Sequence, residues 1–89
     1  MAKIVENKKG FLVIECTAVE TMKFGGIGIC DYCNEADTTG YYIAVLNCWY
    51  CRKCYTEWME RAIFYEEDAP FEKRNFEYYK KLLGLKDNE

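Results

Sequence analysis

Six cysteines in 89 residues, five of them at positions 30, 33, 48, 51 and 54, and no histidine anywhere, set the tightest limit on how this chain folds. Thiols separated by two residues bind metal, form redox pairs or join as disulfides. A four-coordinate structural metal site in this chain must be built from thiolates alone, because no imidazole is present. Cys30 and Cys33 in "CDYC" form one C-x2-C pair. The second pair is open: Cys48 with Cys51 after a gap of 14 residues, or Cys51 with Cys54 after a gap of 17.

Three considerations favour Cys51 and Cys54. The longer gap falls within the window of about 15 to 20 residues usual for paired C-x2-C zinc sites, and the shorter falls just outside it. Both residues are expected in the first turn of a helix, where unpaired amides and the positive end of the dipole stabilise thiolate. Cys48 is expected in a strand near a hairpin tip, away from the end where Cys30 and Cys33 arrive. The lone Cys16, inside the run "FLVIECTA", reads as a small buried apolar residue.

A chain of this length makes one domain, with a core small enough that an added constraint is expected. An apolar fraction of 51 % and an aromatic fraction of 17 % are sufficient for a folded core. No run approaches the length of a membrane span, and "MAKIVENKKG" lacks the apolar segment of a secretory signal. The expectation is a soluble, cytoplasmic protein, in which clustered cysteines bind metal rather than form disulfides. The net charge of -3 would become about -5 with four thiolates around one Zn2+, which disfavours a general nucleic-acid binder.

"KIVENKKGFLVIECTA" predicts a β-hairpin with a turn through Asn7 to Gly10, placed at the edge of the core. Thr17 and Glu20 have the spacing of a capping box, so "AVETMKF" predicts one or two helical turns ending at Gly25 and Gly26. The glycines at 25, 26 and 28 make no phosphate-binding fingerprint and read as a flexible lead into Cys30. "YYIAVLNCWYC" predicts a second hairpin turning near Leu46 and Asn47. Tyr55, Trp58, Met59, Ala62, Ile63 and Glu66 follow the 3.6-residue spacing of an amphipathic helix. Asp68 before Ala69-Pro70 predicts the start of another helix, with Phe76, Tyr79, Leu82 and Leu83 on one face, a stop at Gly84 and a frayed tail of five residues.

A knuckle with two cysteines, a β-hairpin, then two cysteines at a helix start resembles the treble-clef zinc finger. The resemblance rests on "CDYC", "GYYIAVLNCWY" and "CRKCYTEW" and covers about residues 29–65. It implies one structural Zn2+ ligated by Cys30, Cys33, Cys51 and Cys54. The expected fold is α+β: an N-terminal hairpin and connector over 1–28, a treble clef over 29–66 and a C-terminal helical segment over 67–89, within one domain.

Treble clefs serve many functions, so the class has to be argued from composition. Four thiolates fill the metal's shell, no histidine is present to move protons, and no nucleophile has a partnered base, so an enzyme is not expected. Asp31, Glu35 and Asp37 beside the knuckle read as solvated carboxylates. From Cys51 onward eight basic residues are matched by nine acidic ones rather than massed. Abundant tyrosine and tryptophan suit a protein interface. The expectation is a zinc-stabilised module or adaptor that binds another protein. The alternatives are a nucleic-acid-binding zinc finger and a thiol redox or metal-sensing protein.

Overall fold

The computed structural model describes residues 2–85. Four strands, β1 (Lys3–Val5), β2 (Val13–Thr17), β3 (Thr39–Ile43) and β4 (Cys48–Cys51), form one antiparallel sheet in the order β1-β2-β3-β4. Helix α1 (Arg52–Arg61) follows β4 directly, and α2 (Ala69–Leu82) closes the described chain. The two expected hairpins are thus halves of one meander. β2 is an inner strand rather than a rim, since it pairs with β1 on one side and β3 on the other.

Strand residues alternate between faces, and here both faces are covered. Val13, Ile43 and Tyr50 pack with Phe11 and with Trp58 and Ala62, the side chains that α1 supplies and leads into. Ile14, Cys16, Tyr42 and Trp49 pack with Phe76 and Leu83 from the α2 side. Val13, Ile14 and Ile43 are fully buried, each contributing roughly 1.5–3 kcal/mol of transfer free energy. That double burial explains why the inner strands read as near-continuous apolar runs.

The turn between β1 and β2 is built by Asn7. Its Oδ1 accepts the Lys9 and Phe11 amides at 2.9 and 3.3 Å, and its Nδ2 donates to the Tyr55 hydroxyl at 2.9 Å. A local turn device therefore also fastens the hairpin to α1. The Thr17–Glu20 pair is a reciprocal capping box, with Glu20 Oε1 accepting the Thr17 amide at 2.9 Å and Thr17 Oγ1 accepting the Glu20 amide at 3.2 Å. It opens a 3-10 helix, Glu20–Phe24, that ends on left-handed Gly25 as expected.

Helix α1 ends at Arg61, short of the apolar stripe that ran on to Glu66. The backbone turns extended at Ala62, whose carbonyl accepts the Lys9 ammonium at 2.7 Å, and Phe64 packs edge-on against Phe11 at 5.4 Å. Those tertiary contacts outweigh the periodicity, and Ile63 is left 65 % exposed. Asp68 makes no side-chain cap. A 3-10 turn, Glu66–Asp68, instead runs into α2, with Pro70 in its first turn. Leu85, expected to fray, donates its amide to the Lys80 carbonyl at 2.9 Å and packs beside Leu83. The remaining four residues of that expected tail lie outside the described residues.

Helix α2 is fixed to the sheet through a buried carboxylate. Glu72 is 3 % exposed and accepts the Leu12 amide at 2.7 Å. Burial raises its carboxyl above the ordinary 4.5, the Leu12 amide opposes that rise and the Asp68 charge adds to it. A carboxyl raised in the folded state binds protons more readily there than in the unfolded chain, so folding gains stability as pH falls through its folded value. The stability of the native protein relative to Glu72→Gln is therefore expected to increase from neutral to mildly acidic pH. Paired denaturant titrations check this, and a pH-independent difference would contradict it.

Candidate metal centre

The knuckle is prepared by the segment before it. Gly28 has φ +76, and a Cβ there would lie 2.7 Å from the Ala18 Cβ, so the loop approaches the end of β2 at a distance only glycine permits. The glycine segment is pinned, not a flexible lead. Ile29 then bridges Ala36, closing a small loop whose base is the Cys30 amide donating to the Glu35 carbonyl at 2.9 Å. Left-handed Asn34 completes the tight reversal, with φ 63 and its amide on the Cys30 carbonyl at 2.9 Å.

The second pair comes from the end of the β3–β4 hairpin and the helix it feeds. Gly40, opposite Cys51 across the β3–β4 ladder, leaves room for the Tyr50 carbonyl and the Trp49 indole, which a Cβ would approach to 2.5 and 2.6 Å. Cys51 ends β4 and stands as the extended residue before α1 rather than inside the first turn, whereas Cys54 lies in that turn.

Chain folding brings the thiols of Cys30, Cys33, Cys51 and Cys54 to within 4.8 Å of one another. Cys33 and Cys51 Sγ lie 3.8 Å apart, and all four sulfurs are free thiols. A tetrahedron with metal–sulfur bonds of about 2.3 Å has edges of about 3.8 Å. The donor set therefore fits one tetrahedral ion, with Cys30, Cys51 and Cys54 buried and Cys33 at the surface.

The sulfurs are not equivalent. Burial works against ionisation of Cys30, but the amides of Cys33, Cys51 and Tyr32 outweigh it and bring that thiol down to about 7. The Tyr32 and Cys33 amides reach its sulfur at 3.3 and 3.4 Å. Cys54 is pushed far up, by burial and then by the neighbouring sulfurs. The amide support expected at the helix start is thus delivered to the knuckle instead. The neighbouring sulfurs that hold Cys54 up are the arrangement a dication relieves.

Cys48 stands apart, half-buried, with its thiol donating to the Leu46 carbonyl at 3.3 Å. Cys16 is buried in the sheet, where burial drives its thiol up to about 12. Neither belongs to the cluster. Two carboxylates read from sequence as solvated have structural work instead. Asp31 Oδ2 accepts the Trp49 amide at 2.9 Å while the Asp31 amide donates to the Trp49 carbonyl at 2.9 Å, which seals the outer edge of β4 with the knuckle. Asp37 accepts the Thr38 amide at 2.7 Å and pairs with Arg52 at the start of α1 at 3.4 Å. The only sequence signal for either was its position flanking the knuckle.

Fold and site together define a small α+β domain with a four-cysteine cluster set between a knuckle and a strand–helix junction. Comparison with protein-family models, with curated proteins and with solved structures finds no match to this chain. Among the described residues no helix is long and apolar enough to cross a membrane.

Proposed function

We propose that the chain is a zinc-stabilised treble clef whose metal is structural, and that it acts as a module for binding another protein. The observation that carries the metal assignment is the convergence of four thiols within 4.8 Å of one another, with the Cys33–Cys51 pair at the 3.8 Å edge of a tetrahedral zinc–thiolate site. Soft thiolates suit zinc, and the 4.8 Å envelope suits one ion rather than a multi-iron cluster. When bound, zinc supplies charge compensation and cross-linking rather than an open coordination position.

The order of parts supports the treble clef: knuckle, β3–β4 hairpin, then α1, with sulfurs contributed by the first and by the junction of the last two. Protein binding is supported by side chains left at the surface, among them Tyr32, Ile63 and Tyr65, on a chain whose net charge is acidic. Arg61 lies over the Tyr32 ring at 5.4 Å, an aromatic–cation pair of the kind interfaces use.

Native mass spectrometry of the wild type and of Cys48→Ser is expected to show one zinc on each chain. A Cys48→Ser protein without stoichiometric zinc would overturn the ligand set. An iron-coloured protein would overturn the metal.

A further inference from the structure

The 3-10 helix Glu20–Phe24, the glycine loop after it, the knuckle and the turn before β4 surround a cleft of about 430 Å³ that the metal assignment leaves unexplained. Its volume lies in the lower part of the usual ligand-site range of about 300–1,000 Å³. Aromatic rings make one wall. Tyr42 and Tyr79 stack at 4.0 Å, and Phe24 meets Tyr79 edge-on at 4.7 Å. Ile27, 81 % exposed, stands at the lip.

Among the described residues Asp31 is the single acidic side chain on the lining, and neither lysine nor arginine contributes to it. Its charge acts across the cleft: the Tyr79 hydroxyl and the Cys48 thiol are both raised, first by burial and in part by Asp31. Cys30 of the sulfur cluster also reaches the lining and adds negative charge when ionised, while Asn34 and Asn47 carry none. An anionic ligand would meet uncompensated repulsion here. A cation would meet a carboxylate, with the half-buried rings of Phe24 and Tyr79 and the exposed Ile27 as apolar wall for an alkyl stem.

We propose that this cleft receives a lysine or arginine side chain of a protein partner. The proposal rests on the reading of the chain as a protein-binding module and names the chemistry of its partner. Asp31 then has two roles, holding the Trp49 amide to keep the knuckle on β4 and offering its charge to the incoming cation. The cleft's size suits one long side chain and the backbone that bears it.

The test is an amide-resolved NMR titration of the 15N-labelled full chain with Nα-acetyl-lysine methylamide and Nα-acetyl-arginine methylamide. Norleucine and citrulline analogues serve as neutral isosteres. Shifts are expected at Gly26, Gly28, Asn47 and Trp49 with the cationic probes, weakening as salt is raised, with the neutral isosteres binding about tenfold more weakly. Equal response to the neutral probes, or shifts confined to other surfaces, would overturn the proposal. Butylammonium, which lacks the peptide backbone, is expected to bind more weakly, and equal binding would assign the cleft to free amines and remove the protein partner.

Asp31→Asn keeps an acceptor for the Trp49 amide while removing the charge, and should lose about tenfold in affinity for the cationic probes. Asn47→Asp is the second variant. It keeps the acceptor for the Tyr42 hydroxyl, which lies 2.7 Å away, and tolerates the left-handed φ of 56 at that position. It should tighten cation binding, and unchanged or weaker binding in a folded Asn47→Asp protein counts against the proposal. Zinc content is measured on each sample. Missing zinc counts against the zinc module, whereas a zinc-loaded protein silent to cations counts against the cleft alone.

Discussion

Serine at Cys30 or Cys54, or metal removal by a strong chelator, abolishes cooperative unfolding of this domain. The expectation follows from what the sulfurs join. Cys30 carries the knuckle, which is bonded to β4 through the Asp31–Trp49 pair. Cys51 and Cys54 carry the strand–helix junction, and three of the four sulfur-bearing residues lie within the core beneath α1. Apparent zinc-binding energies of roughly 10–16 kcal/mol at neutral pH equal or exceed the whole stability of a typical domain, about 5–15 kcal/mol. Without metal, folding crowds four thiols together, three of them within the core, and supplies no compensating cation. Circular dichroism melts before and after chelation check this. A chelated protein that melts with the same midpoint and steepness would show the cluster to be peripheral to stability.

Trp58→Ala is expected to cost about 3–5 kcal/mol in the zinc-loaded protein, the range for truncating a buried large aromatic. Trp58 is 7 % exposed, and its ring lies 4.8 Å from Phe11 and 6.1 Å from Tyr55. It is the side chain of α1 through which the helix, the segment leading into β2 and the sulfur-bearing junction share one core. Trp58→Phe retains the Phe11 contact and should lose markedly less. Denaturant unfolding with zinc content verified measures both, and a loss below about 1 kcal/mol for the alanine variant would mean that the metal, not the apolar contact, holds α1 on the sheet.

How much of this was legible beforehand depended on how local the signal was. The Thr17–Glu20 capping box and the Asn7–Gly10 turn are set by side chains bonding to neighbouring backbone, the Asn47 reversal by a left-handed residue whose amide bonds the Ile43 carbonyl, and each formed where the sequence placed it. The four clustering cysteines were also legible, because the spacing of C-x2-C pairs is itself a geometric constraint. The end of α1 was not. Its stripe continued through Ile63, but the Phe64–Phe11 contact and the Lys9 bond to the Ala62 carbonyl join residues some fifty positions apart, invisible to periodicity. Asp31 is exposed as read, but its bond to the Trp49 amide was not legible for a similar reason, since nothing local to the loop says that the edge of β4 lies beside it.

By itself, then, the sequence determined the α+β class, the turn positions and the two-residue cysteine spacings, and favoured Cys54 over Cys48 without excluding Cys48. Each of these is specified by residues a few positions apart. The tertiary structure alone decided that the two hairpins merge into one sheet covered on both faces, that amide support goes to Cys30, and that Asp31 lies on a cleft lined by Phe24, Tyr42 and Tyr79. Those outcomes depend on burial and on contacts between distant segments, where the free energy comes from surfaces that meet only once the chain is folded.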